Sequence, residues 1–418
     1  MAREMKDSGI EWIGEIPAEW ETIKFKYLHD GLNTGESIDK EYWASGEKDI
    51  LFYTAGLTPI RTIYTEFPDW KYTHSNDILL ARNGTPYVYF PEEGACYTDH
   101  IIRAAMKDRI NRRFVQYGLQ QSIASIVVDS VSIPTWSASL WNEQVIAWPT
   151  ETIQQKIVDF LDDECAHIDS VIDQTRASIE EYKKLKQAVI TQAVTKGIRP
   201  DRSMKDSDVE WIGDIPKEWS IYSLGALTES LRNGYVGPTK DLFYEEGIKY
   251  IQSLHIKEGK IDFSRHEYFV SESWADSHPK IKKNDILIVQ TGDIGSVGLV
   301  TDEYDGCNCH ALIIATPRVN IILPQYLTYY FRSTVGRELL LYYKTGALLP
   351  HLNSGKIKFA NVCVPDINEQ KEIVRYLDFK TAKIDQMISG KMNLLSELET
   401  YKKSLIYEYV TGKKEVPA

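Results

Sequence analysis

The segment MKDSGIEWIGEIPAEW at 5–20 recurs as MKDSDVEWIGDIPKEW at 204–219, identical at twelve of sixteen positions. Self-similarity at a long, fixed spacing means that one folding unit occurs more than once, so the architecture is built from two copies of something smaller. A second repeat starts at Pro149 and Pro365 and keeps a constant offset of 216: Gln154 with Gln370, Leu161 with Leu377, Asp162 with Asp378, Asp169 with Asp385, and Val194-Thr195 with Val410-Thr411. The first repeat is offset by 199, so the segment between the two frames is longer in the second half by the difference of the two offsets. The middles diverge and leave only echoes, NDILLARNG at 76–84 against NDILIVQTG at 284–292 and FVQYGLQQS at 114–122 against YLTYYFRS at 326–333. Frames that persist around middles that change indicate one fold presenting two different surfaces.

Residues 151–196 and 367–412 contain no proline, only Gly390 as an interior glycine, and apolar residues at helical period, which predicts two long helices of roughly 70 Å each at 1.5 Å per residue. Pro149 and Pro365 precede the starts, Asp366 and Glu369 have the spacing of a capping box, and Gly197 with Pro200 ends the first helix. Heptad phasing puts Cys165, Ile172 and Ile179 at one seam position and Leu161, Ile168, Tyr182 and Val189 at the other. Ile388 and Leu395, with Leu377, Ile384, Leu398 and Leu405, phase identically in the second helix, and Lys186 and Lys402 fall at equivalent seam positions. Two such helices in one chain are expected to pair, and antiparallel pairing would hold the variable segments at opposite ends. The variable segments mix short β-rich runs (DILLA, DILIVQ, ALIIAT) with turn signals and helical stretches such as 325–343. The expected fold class is α+β: two similar domains, 1–150 and 201–365, joined by helices at 151–200 and 366–418 that pair as an antiparallel coiled coil with a pseudo-twofold relation. Trp12, Trp20, Trp211 and Trp219 of the repeated element read as packing residues where helix meets domain.

Several kinds of chemistry lack their residues. There is no GxxxxGK[ST] phosphate loop and no Pro-Pro pair for an amino-methyltransferase motif. Asp162-Asp163-Glu164 reads as a solvated helix start, and Pro365-Asp366 with Glu369-x-Lys371 matches a nuclease motif in letters only, since capping explains the crowded carboxylates. Cys307, Cys309 and His310 have an atypical spacing for zinc. TGDIGSVG at 291–298 follows a strand and suits a tight loop better than a dinucleotide site. Five scattered cysteines suggest reduced thiols, and no apolar run approaches the ~20 residues of a membrane span, so a cytoplasmic location is expected.

The net charge of −12 opposes nonspecific binding to nucleic acid, which draws its affinity from Lys and Arg at phosphates. Residues 21–148 carry 12 basic against 16 acidic side chains and residues 220–364 carry 15 of each. Basic residues concentrate only locally, at Arg103, Lys107, Arg109, Arg112 and Arg113 and at Arg318, Arg332, Arg337 and Lys344. A charge balance of this kind leaves much of the phosphate grip to partners.

In their order along the chain, MKDSGIEWIGEIP, its copy, and the helix starts TIQQKIVDFLD and PDINEQKEIVRYLD resemble the specificity subunits of type I restriction-modification systems, over essentially the whole length. The resemblance implies a non-catalytic DNA-recognition subunit with two target-recognition domains, each reading one half of a bipartite, asymmetric site in double-stranded DNA, with the helical pair setting the spacing. It implies two methylation subunits carrying S-adenosylmethionine and restriction subunits using ATP and Mg²⁺, and no cofactor on this chain. It also implies readout loops at Arg82, Asn83, Gly84 and Thr85, at Gln290, Thr291, Gly292 and Asp293, and at Lys344, Thr345 and Gly346, the last having at Asp129-Ser130 a first-half equivalent without the glycine and the lysine. A specificity or adaptor subunit of a different DNA-modifying defence complex is the alternative reading.

Overall fold

The computed structural model describes residues 3–417 except 45, 47, 48, 57, 84, 85, 125, 127–134 and 347–349. The chain divides into two compact units, Met1–Thr175 with Asn393–Ala418, and Arg176–Met392. Each unit contains one variable segment, one copy of the repeated tryptophan element and a stretch of both long helices.

The helices run over Glu151–Thr195 and Ile367–Val410, close to the bounds predicted by periodicity. In the first unit Ile157, Leu161, Cys165, Ile168 and Ile172, from the start of one helix, pack in one core with Leu405, Ile406, Tyr409 and Val410 from the end of the other. In the second unit the ends are exchanged: Ile190, Ala193 and Val194 share a core with Ile373 and Leu377. The pairing is therefore antiparallel. Burial follows much of the predicted seam: Leu161, Cys165, Ile168, Ile172, Ile179 and Lys186 are buried, as are Leu377, Ile384 and Leu405, while Tyr182, Val189, Ile388, Leu395 and Leu398 are half-buried. The two seam lysines make equivalent ion pairs, Lys402 Nζ to Asp169 at 2.6 Å in the first unit and Lys186 Nζ to Asp385 at 2.7 Å in the second. Both partners are displaced by 216, as the repeat requires. A charged seam position weakens apolar packing but fixes register, since any slip would strand the lysine.

Each variable segment is organised around a four-stranded antiparallel sheet, and the strand order is the same in both. In the first unit the order is His29–Thr34, Ile101–Met106, Asp77–Ala81, Val88–Tyr89; in the second it is Thr228–Asn233, Leu312–Pro317, Ile286–Val289, Val297–Leu299. Even the irregularity repeats: the register shifts between Ala105 and Met106 in one sheet and between Thr228 and Ser230 in the other, leaving Asp30 and Glu229 as the corresponding extra residues. ILLA at 78–81 and ILIV at 286–289 are continuously apolar because both faces of the sheet are covered. Ile78 and Leu80 enter one core with Val115 and Leu119, while Leu79 and Ala81 enter another with Tyr53 and Tyr97. Ile286 and Ile288 separate from Leu287 and Val289 in the same way.

The frames close on themselves. Glu21–Lys24 pairs antiparallel with Val145–Trp148, Glu21 opposite Trp148; Ser220–Ser223 pairs with Asn361–Val364, Ser220 opposite Val364. These registers superimpose through offsets of 199 and 216, so the additional length of the second half is absorbed wholly inside the domain. A tyrosine then ties each domain to its helix. Tyr117 Oη donates to Asp162 at 2.6 Å and Tyr329 Oη donates to Asp378 at 2.7 Å. Trp20 and Trp219 are each 1% exposed, in agreement with packing, whereas Trp211 is 37% exposed and stacks on Tyr342.

Asp366 caps its helix through Oδ1, which accepts from the backbone N–H of Asn368 and Glu369. Glu369 does not complete a capping box with Asp366. Its carboxylate accepts instead from Arg202 and, at 3.1 Å, from Trp219 Nε1. The half-buried Arg202 and the buried Trp219 next to the helix start offer Glu369 better partners than the exposed N-cap amide.

Candidate functional site

The loop after each NDIL strand leaves the sheet next to a glycine that only a bare backbone could occupy. A Cβ on Gly35 would lie 1.9 Å from Tyr97 O, and one on Gly234 2.5 Å from Cys309 O. Both glycines donate to the neighbouring strand, Gly35 N–H to Ile101 O at 3.2 Å and Gly234 N–H to Leu312 O at 2.8 Å. They end LNTG at 32–35 and LRNG at 231–234, an echo too short to stand out by sequence comparison. This contact brings the ends of three strands together in each unit, and the loops expected to read bases emerge there.

In the first unit Arg82 is exposed, with its backbone pinned on both sides: its N–H donates to His100 O at 2.8 Å and its O accepts from Trp136 N–H at 2.6 Å. Its guanidinium reaches Asp99 O at 3.4 Å. Asn83 Nδ2 lies 2.7 Å from His100 Nδ1, and Asn83 forms an isolated bridge with Thr135. Gly84, Thr85 and the Asp129-Ser130 loop lie outside the described residues.

In the second unit Gln290 O accepts from Leu352 N–H at 3.0 Å, which joins the first loop to the second, where Lys344–Thr345 pairs with His351–Leu352. Thr291, Gly292 and Asp293 are exposed. Gly292 has a φ of +82°, the turn that lets the chain double back, and Asp293 is held by Arg337 at 2.7 Å and by Ser296. Lys344 and Gly346 are exposed, Lys344 without an ion-pair partner among the described residues, and Thr345 Oγ1 sits 3.4 Å from His351 Nε2. The Gln290 and Lys344 loops are thus adjacent in space although well separated in sequence.

The basic concentrations resolve differently from their appearance in the sequence. Arg103 is 7% exposed, with Nη1 3.4 Å from Asp77 and donating to Tyr72 O. Arg113 pairs with Asp162 at 2.8 Å, Arg112 donates to Asp77 O and lies 4.0 Å over Phe90, and Lys107 donates to Tyr27 O. Arg332 approaches Glu258 at 3.9 Å. Most of these cations satisfy internal acceptors and do not line a phosphate track, because a buried carboxylate or carbonyl competes for them at shorter range. Cys309 is fully buried and its thiol is pushed up to about 12 by desolvation, and burial also holds the His310 imidazole below its ordinary range. Among the described residues no group of three or more His, Cys, Asp or Glu side chains could hold a metal ion.

Comparison with known proteins gives the geometry a context. The family model for the type I restriction modification DNA specificity domain matches residues 216–396. The specificity subunit of the type I restriction enzyme EcoBI of Escherichia coli is 25% identical over 364 residues, spanning 83% of this chain and 76% of the relative. That of MjaVIII from Methanocaldococcus jannaschii is 22% identical over 421 residues, 96% of this chain and 94% of the relative. The chain is thus similar to type I specificity subunits over most of its length. Its fold agrees with a solved chain from a study of complex assembly and conformational transition of the type I R-M system, with a TM-score of 0.69 at 14% identity, covering 96% of this chain and 99% of that chain. No helix among its described residues is long and apolar enough to cross a membrane.

Proposed function

We propose that this chain is a type I specificity subunit, a non-catalytic reader of double-stranded DNA that directs two methylation subunits and restriction subunits to a bipartite, asymmetric site. One observation carries this reading: two sheets of identical strand order end in the same glycine contact but offer different side chains on the loop that follows, Arg82 and Asn83 in one and Gln290, Thr291 and Asp293 in the other. A reader with a fixed frame must place its variation there, since sequence is read by hydrogen-bonding groups at base edges while the frame serves assembly. Arg suits guanine and the amides suit adenine. Residues 1–150 and 201–365 act as the two target-recognition domains, Lys344 contributes a phosphate contact, and the long helices at 151–200 and 366–418 set half-site spacing. S-adenosylmethionine, ATP and Mg²⁺ belong to the partner subunits.

The test is a methylation-site profile across a randomised target, with the chain expressed alongside its methylation partner. Exchanging residues 220–364 for the corresponding segment of another specificity subunit is expected to change one half-site and leave the other half and the spacing intact. A change in both halves, or in neither, refutes the division of labour.

A further inference from the structure

Gln290 Nε2 donates to Asn233 Oδ1 at 3.1 Å. The two residues do not sit on neighbouring strands. Asn233 ends Thr228–Asn233 and Gln290 follows Ile286–Val289, and the strand Leu312–Pro317 lies between them. Their side chains meet across the beginning of that intervening strand, where Asn233 stands opposite Ile313 and Val289 opposite Leu312. Neither backbone is free to drift. Gln290 O is fixed by Leu352 N–H, and Gly234, next to Asn233, is bound to Leu312 O in a place with no room for a Cβ.

We infer that Asn233 is a specificity-determining positioning residue for the second half-site, which orients the Gln290 amide so that it reads adenine. This inference rests on the proposal that the Gln290 loop contacts DNA. A free glutamine amide can turn over and exchange its oxygen for its nitrogen, so it presents donor and acceptor in either order. While Asn233 presents Oδ1, accepting one Nε2–H holds the Gln290 amide in the orientation that leaves one N–H and Oε1, the donor and acceptor set that complements N7 and N6–H₂ of adenine. Holding a flexible side chain before binding also lowers the entropy lost on contact. The arrangement belongs to the second unit alone. At the matching places in the first unit stand Thr34 and Arg82, and Arg82 turns to Asp99 O instead.

The experiment compares Gln290→Ala, Asn233→Ala, Asn233→Asp and the Gln290→Ala/Asn233→Ala double variant in the assembled methylation complex, by methylation-site profiling over a randomised target. Asn233 is exposed, so its replacement leaves the core untouched. Gln290→Ala and Asn233→Ala are expected to relax the same single base position by about tenfold, with the double variant no worse than either, as a good bidentate contact would predict. Asn233→Asp keeps an acceptor for Gln290 Nε2 and is expected to retain the adenine preference. The role of Asn233 is overturned if Asn233→Ala has the parental profile or relaxes a different position, or if Asn233→Asp behaves as Asn233→Ala while Gln290→Ala still relaxes one base. An unchanged profile for Gln290→Ala overturns the loop reading itself, and the role of Asn233 falls with it.

Discussion

Replacing Glu369 by alanine should loosen the second unit and leave the first alone. Glu369 is 3% exposed and bonded to the half-buried Arg202 and to Trp219, which is 1% exposed. Without the carboxylate, Trp219 Nε1 has no acceptor and Arg202 keeps only Glu218, at 3.0 Å on the solvent side. Breaking a buried pair by removing one partner costs about 3 to 5 kcal/mol, and the surviving Glu218 contact places this case near about 3 kcal/mol. Glu369→Gln keeps the acceptor for Trp219 and loses only the charge assistance to Arg202, a loss of about 1 kcal/mol. The first unit provides an internal reference, because at the offset of 216 the position of Glu369 is Ile153, and Trp20 Nε1 is buried there without a hydrogen-bond partner among the described residues. Two units need not unfold together, so a single melting temperature would blur the effect. Amide hydrogen exchange resolves it. Peptides over 204–219 are expected to lose protection by about a hundredfold in Glu369→Ala, about 1.4 kcal/mol being a factor of ten, while peptides over 5–20 keep theirs. Equal losses in both peptides, or an equal loss in Glu369→Gln and Glu369→Ala, would refute the reasoning.

Lys186 is buried and pairs with both Asp385 and Glu258, whereas Lys402 is more exposed and pairs with Asp169. Lys186→Met should therefore cost about 1 kcal/mol and Lys402→Met less, as read from urea midpoints, because the carboxylate partners remain largely solvated. Hydrogen bonding from Lys186 holds the Glu258 carboxyl below its usual range, so its contribution is present above the unfolded pKa and disappears as the pH falls through the folded one. The gap between wild type and Lys186→Met should accordingly shrink on acidification below about pH 4, and a gap that widens would contradict the pairing. Gly35→Ala and Gly234→Ala force a methyl against a backbone carbonyl and should destabilise by about 2 to 3 kcal/mol, while Gly292→Ala, with open space and only its positive φ to strain, should cost about 1 kcal/mol. Losses of amide-exchange protection around each glycine that rank Gly292→Ala as the worst would show that the close approach is softer than its distances imply.

The duplication, its two offsets, the bounds of both long helices and the phase of their seam were legible in the sequence because each is local or repeated. Helical period is written every three or four residues, and a copied frame can be matched to its copy without knowing where either lies in space. The position of Lys186 and Lys402 at equivalent seam places followed from phase alone. What those lysines and the other charged side chains bond to did not. Arg103 and Arg113 read as part of a basic cluster, yet they serve Asp77 and Asp162, which lie far from that cluster along the chain and on opposite sides of it. The capping spacing of Asp366 and Glu369 was visible, yet Glu369 bonds to Arg202 and Trp219, which belong to the other end of the second unit's sequence. Asn233 carries no signal of its own, since its meeting with Gln290 depends on a third strand threading between theirs. A side chain's partner is decided by which acceptor the packed backbone brings within about 3 Å, and that distance is a property of long-range pairing and close-packed volume, neither of which has a period in the sequence.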